Sequence, residues 1–124
     1  MSSLGEYVKQ ADWKTEKHAP VVSCPDSVAA GEAFTVEVSV GKEIPHPNTV
    51  EHHIAWISLY FVPEGGAAPF QVGRYDYSGH GEGPVLAEPT TTAVVKLEKS
   101  GTFYAISFCN LHGLWEGSKA VSVG

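Results

Sequence analysis

Residues 34–40 read Phe34-Thr35-Val36-Glu37-Val38-Ser39-Val40. Apolar and polar side chains alternate with period two, which in an extended chain puts the valines on one face and Thr35, Glu37 and Ser39 on the other. Such a segment is a strand with one face on a core and one in water. Working outward, the same kind of run recurs between turn residues. Upstream, Val21-Val22-Ser23-Cys24 reads as a first strand closed by Pro25-Asp26, and Ala29-Ala30-Gly31-Glu32 as the turn that follows. Downstream, Gly41 to Glu51 holds Pro45 and Pro47 and breaks regular structure. His53 to Val62 is then long and apolar enough for a central strand, ended by Pro63-Glu64-Gly65-Gly66. Phe70 to Tyr77 alternates again, Ser78 to Pro89 is a glycine-rich loop, and Thr91–Leu97, Thr102–Cys109 and Ser118–Val123 finish the set. Helical periodicity is absent beyond a single turn within Ser3–Gln10. About seven short strands joined by turns predict an all-β fold, an immunoglobulin-like antiparallel β-sandwich. A single domain over 1–124 is expected, with an irregular N-terminal segment over about 1–20.

The 124 residues suffice for a core without disulfides or a structural metal. Hydrophobic residues make up 43% and charged residues 18%, which argues against disorder. A formal net charge of -6 argues against nucleic acid or an anionic membrane as the main partner, and an anionic substrate would need local positive charge. No apolar run approaches the roughly 18 residues of a membrane span, and the first ten residues lack the pattern of a secretory signal, so the cytoplasm is the expected compartment. Two cysteines, Cys24 and Cys109, are too few for a disulfide framework and are expected as thiols.

Function in a sandwich sits on the loops at its ends. Phe108-Cys109-Asn110-Leu111-His112-Gly113 places a thiol and an imidazole three residues apart where the strand Thr102–Cys109 gives way to a loop. Of the six histidines, His18 precedes Ala19-Pro20, His46 lies between Pro45 and Pro47, His52 ends the proline-containing loop and His112 precedes Gly113. Proline restricts its own backbone and that of the residue before it, so a histidine there loses little further freedom on becoming a ligand. Imidazole and thiolate together select iron, copper or zinc over calcium or magnesium. Four histidines and one cysteine exceed the usual four ligands of structural zinc, whereas iron accepts five or six. His53 alternates away from His52 and is expected off the site, and His80 between Gly79 and Gly81 reads as a flexible loop residue. Cys24 reads as a buried thiol, Trp115 as an aromatic shielding the ligand loop, and Asn110 as a turn-maker. The Leu111 and His112 amides are expected to reach the Cys109 sulfur.

The fragments Glu16-Lys17-His18, Gly41-Lys42-Glu43-Ile44-Pro45-His46-Pro47, His52-His53-Ile54-Ala55-Trp56-Ile57 and Cys109-Asn110-Leu111-His112, in this order, resemble the superoxide reductase family in its single-iron form, also called neelaredoxin. Longer members add an N-terminal domain with a four-cysteine iron site, and the absence of Cys-x-x-Cys here implies one iron per chain. The resemblance implies that His18, His46, His52 and His112 form an equatorial square around iron and that Cys109 supplies the axial thiolate. It implies that Glu16 closes the sixth position in the resting ferric state and that Lys17 lies near it. The activity implied is one-electron reduction of superoxide to hydrogen peroxide, with iron re-reduced by an external donor, typically rubredoxin. A homotetramer is implied, with a homodimer as the alternative.

Two other readings fit part of the sequence. A cupredoxin-like electron carrier would use His46, Cys109 and His112 but leaves His18 and His52 idle, and no methionine follows His112. A non-enzymatic immunoglobulin-like binding module would hold no metal at all.

Overall fold

The computed structural model describes residues 2–124. Met1, the only methionine, lies outside them. Nine strands follow a short 3-10 turn at Leu4–Glu6. They are β1 (Lys9–Gln10), β2 (Pro20–Ser23), β3 (Ser27–Val28), β4 (Phe34–Val40), β5 (Ile54–Pro63), β6 (Phe70–Asp76), β7 (Thr90–Val95), β8 (Gly101–Cys109) and β9 (Gly113–Val123). The larger sheet has the order β1-β9-β8-β5-β6 with β3 also paired to β9, and the smaller has the order β2-β4-β7. The architecture is the β-sandwich read from the alternation, with β5 flanked by β8 and β6 as its apolar length predicts.

β4 has the bounds its sequence gives it, and Val36, Val38 and Val40 are buried. They meet Ile57, Leu59 and Phe61 of β5 and Phe103, Ala105 and Cys109 of β8 in one core. Each fully buried large aliphatic side chain contributes about 1.5–3 kcal/mol relative to exposure, so the scaffold draws its stability from this layer and leaves the loops free for chemistry.

Two departures from the expected strands have physical causes. β1 and β3 are two-residue strands paired parallel to β9, and segments that short carry no alternation to read. β9 begins at Gly113 rather than Ser118 because cross-strand pairing with β8, from Cys109↔Gly113 to Gly101↔Val121, imposes extension on a stretch whose glycines lack a pattern. Gly113 has φ +82°, a left-handed conformation that glycine adopts freely, and this closes the β8–β9 hairpin over residues 110–112. At Gly117 a side chain would run into the Pro20 carbonyl oxygen, so only glycine lets β2 approach β9 this closely. That approach seats His18, two residues before β2, against the start of β9.

Candidate metal centre

Three loops and one strand end deliver the site. His18 enters from the segment before β2, which is set by a turn in which Lys14 and Glu16 amides donate to Asp12 Oδ1 and O at 2.9 Å each. Ser107 of β8 ties it down by donating to the His18 carbonyl at 3.3 Å. His46 and His52 come from the β4–β5 loop, Cys109 ends β8, and His112 sits in the β8–β9 hairpin.

These side chains converge. Ligand atoms of His18, His46, His52 and Cys109 all lie within 4.8 Å of one another. His112 joins through Nδ1, which is 3.1 Å from His18 Nε2 and 3.6 Å from Cys109 Sγ. Ring centroids follow a closed circuit, His18 to His46 4.8 Å, His46 to His52 4.6 Å, His52 to His112 5.0 Å and His112 to His18 4.7 Å. The His18–His52 diagonal is 6.1 Å. Neighbouring rings stand at 63–78° to one another. The four rings thus stand edge to face around one centre.

Hydrogen bonds on the outer ring edges set which nitrogen faces inward. His46 Nδ1 donates to the Pro47 carbonyl at 2.7 Å, and His18 Nδ1 donates to Glu16 Oε1 at 2.7 Å. Each leaves Nε2 as a lone pair. His46 Nε2 and His52 Nε2 are buried without any hydrogen-bond partner. Such atoms are costly unless something accepts their lone pairs, and a metal ion does so. The donor set therefore fits the iron that its composition suggests. The site is graded in depth, since Cys109 is 0% exposed and His18 6%, while His46 and His52 are half-buried and His112 is exposed.

Burial pushes the His46 imidazole down from an ordinary 6.5 to about 4, and the neighbouring imidazoles and Lys17 add in the same direction. His52 is lowered too, by burial first and then by His112, His18 and Lys17. Both are held in the neutral, ligating form. A sign follows for the metal-free protein. The unfolded chain takes up a proton below about 6.5 and folded His46 only below about 4, so the stability carried by neutral His46 is complete above pH 6.5. It is lost as pH falls from 6.5 to 4. The thermal midpoint of metal-free protein should decline across that window, and His46→Gln should flatten the decline; equal slopes would remove His46 as its source.

Glu16 and Lys17 stand at the edge of the cluster. One Glu16 oxygen accepts from both the His18 amide and His18 Nδ1, each at 2.7 Å. Burial raises the Glu16 pKa, but the two His18 hydrogen bonds outweigh it and the net shift is downward. In this conformation the carboxylate orients His18 from its outer edge. Lys17 is half-buried, and its charge bears on Glu16, His46 and His52.

Trp115 stacks on His18 at 4.9 Å and 14° and donates from Nε1 to the His112 carbonyl at 3.3 Å, so it walls two of the ligating loops together. His53 lies off the cluster, with Nδ1 on the Thr49 carbonyl at 2.8 Å. Cys24 is a half-buried free thiol outside the cluster, its pKa raised by burial. Three expectations need correction. His80 is not a loose loop residue, since it is 6% exposed and each of its ring nitrogens lies within 2.9 Å of an oxygen of Asn48 or Tyr77. Asn110 does more than turn the chain, as its Oδ1 accepts from the His53 amide at 2.8 Å and its Nδ2 donates to the Glu51 carbonyl at 2.9 Å, tying the β4–β5 loop to Cys109. The polar partner of the Cys109 sulfur is His112 Nδ1 in place of the Leu111 and His112 amides. The copper reading loses its ground as well, because His18 and His52 stand in the same cluster as Cys109.

The sequence and fold have close counterparts. Neelaredoxin of Megalodesulfovibrio gigas is 52% identical over 120 residues, covering 91% of this chain and 92% of that protein. Superoxide reductase of Pyrococcus horikoshii is 53% identical over 113 residues, covering 91% and 94%. The crystal structure of a Thermotoga maritima protein superposes with a TM-score of 0.96 at 47% identity, covering 100% of this chain and 99% of that one. The desulfoferrodoxin family model matches residues 10–118, a span that holds all four histidines and the cysteine of the cluster, and the chain belongs to the desulfoferrodoxin family.

Proposed function

We propose that this protein is a superoxide reductase, converting superoxide to hydrogen peroxide at one iron held by His18, His46, His52, His112 and Cys109. The observation that carries the reading is the convergence of four imidazoles on a buried thiol, with two Nε2 atoms lacking any other partner. Relatives about half identical over most of the chain bear the names superoxide reductase and neelaredoxin. No described helix is long and apolar enough to cross a membrane.

Superoxide takes up one electron and two protons to give hydrogen peroxide. Iron held by the four histidines and Cys109 would supply that electron, and the Cys109 thiolate would favour its transfer by donating electron density. The chain's own residues do the rest. Outer-edge hydrogen bonds donated to the Glu16 carboxylate and the Pro47 carbonyl hold His18 and His46 in the tautomer with Nε2 free. Trp115 keeps water from one face of His18. Lys17 supplies the local positive charge that an anionic substrate requires. Re-reduction by a small donor such as rubredoxin, assembly as a homotetramer and a single domain over 1–124 belong to the same proposal and rest on the family resemblance.

The deciding experiment mixes anaerobically reduced, iron-loaded protein with superoxide and counts products. Peroxide without matching oxygen supports a reductase; equal yields of both would make it a dismutase and overturn the reading.

Glu16 would serve two states. In the conformation described it orients His18, and to ligate iron its carboxylate would have to leave that ring. Glu16→Ala should therefore retain single-turnover reduction while shifting the ferric absorption spectrum and its pH response. A ferric spectrum identical to wild type at every pH would show that Glu16 is not a ligand in either state.

A further inference from the structure

The β4–β5 loop supplies His46 and His52, yet Glu43 to Pro45 and Thr49 to Glu51 are exposed. A side chain from another loop grips it. His80, between β6 and β7, is 6% exposed. Its Nδ1 lies 2.9 Å from Asn48 Oδ1, and its Nε2 lies 2.8 Å from the Tyr77 carbonyl of its own loop. Asn48 donates from Nδ2 to the Ala87 carbonyl at 2.9 Å, which fixes the amide so that its oxygen faces His80. The His80 ring also lies flat on the His53 ring, with centroids 3.6 Å apart and planes 6° from parallel. Its backbone N–H is held by Glu82 Oε1 at 2.8 Å, so the post is itself anchored.

Each of the two points gripped lies close after one ligand, Asn48 two residues after His46 and His53 directly after His52. Between them the loop closes on itself, the His52 amide donating to Thr49 Oγ1 at 3.0 Å and the Thr49 amide to the His52 carbonyl at 2.9 Å. A buried histidine with a purely packing role would need no contact with both ends of a ligand-bearing loop. We propose that His80 is a positioning residue for the metal centre. It clamps the β4–β5 loop through Asn48 and His53 so that His46 and His52 present Nε2 to the ion. This rests on the metal-centre reading above, and the test separates the two.

The variants are His80→Ala, which removes both grips, His80→Phe, which keeps a ring on His53 but loses the Asn48 and Tyr77 contacts, and Asn48→Ala, which loses the His80 contact together with the hydrogen bond to the Ala87 carbonyl. Release of Fe(II) from anaerobic protein to an excess of chelator is measured, with the thermal midpoint of each metal-free protein. Loss of a partner that orients a ligand typically costs about 10–100-fold in metal affinity. Release should be at least about tenfold faster in His80→Ala and intermediate in His80→Phe. The His80→Phe and Asn48→Ala effects should combine to less than their sum, because both delete the His80–Asn48 interaction. A lowered midpoint with unchanged release across all variants would make His80 structural only and overturn the proposal. Should His80→Ala fail to fold, His80→Phe and Asn48→Ala decide by the same criterion. Should wild type take up no iron, the functional reading fails instead. Amide hydrogen exchange over 46–53 then decides for His80, with faster exchange in His80→Phe supporting the clamp and unchanged exchange overturning it.

Discussion

Replacing Cys109 with alanine should leave a folded β-sandwich that binds iron at least about 100-fold more weakly and has lost the visible absorption of a thiolate-bound ferric ion. The lower bound comes from comparison, since deleting an outer partner of a metal ligand already costs about 10–100-fold and Cys109 is the ligand itself. The sulfur occupies the most buried point of the cluster, at 0% exposure, where it is also part of the core with Ile54, Phe103 and Ala105. Truncation there removes one atom from a packed layer, so the metal-free protein should lose only about 1 kcal/mol or so, well below the cost of deleting a larger core side chain. Metal binding and folding therefore separate in this variant, and the measurements are iron competition with a chelator and thermal melting without metal. Cys24→Ala supplies the contrast. Cys24 is half-buried beside Asp26 and Lys119, outside the cluster, and its loss should leave both iron affinity and the absorption band intact. Tight iron binding with an unchanged band in Cys109→Ala would overturn the assignment of the thiolate.

The same sulfur shows why much of this site was legible from sequence. Cys109 ends a strand whose alternation points every second residue inward, so its burial follows from Phe103, Ala105 and Ser107 before it. His46 and His112 stand next to proline or glycine, His18 lies two residues before Pro20, and His52 ends the proline-containing loop, so the backbone around each has few alternatives. What escaped notice depends on pairing across the chain. The two-residue strands at Lys9–Gln10 and Ser27–Val28 exist because β9 offers an edge to each. Gly79 and Gly81 make His80 read as mobile, yet a bridge to Leu86, a ring stack on His53 and the Asn48 amide fix it. Asn110 looked like a turn residue, and its side chain reaches a segment more than fifty positions away. Local conformational preference is written in neighbouring residues; a hydrogen bond between distant loops is not.

Lys17→Ala should slow capture of superoxide about tenfold, weaken its dependence on ionic strength and leave iron content unchanged. Superoxide is an anion meeting a chain of formal net charge -6, so the long-range field opposes encounter. At physiological salt that field is largely screened beyond about 8 Å, and charges close to the reacting centre outweigh those spread over the surface. Lys17 is such a charge. It directly precedes His18, it is half-buried, and its ammonium helps depress the pKa of His46 and of His52 on the far side of the cluster. Charged clefts raise on-rates by about 10 to 1000-fold, and a single half-buried lysine belongs at the lower end. Lys17→Arg keeps the charge and should retain most of the rate, which separates electrostatics from packing. Stopped-flow or pulse radiolysis at several salt concentrations provides the measurement. If Lys17→Ala captures superoxide at the wild-type rate with the same salt slope, another group gathers the substrate and Lys17 has no part in the reaction.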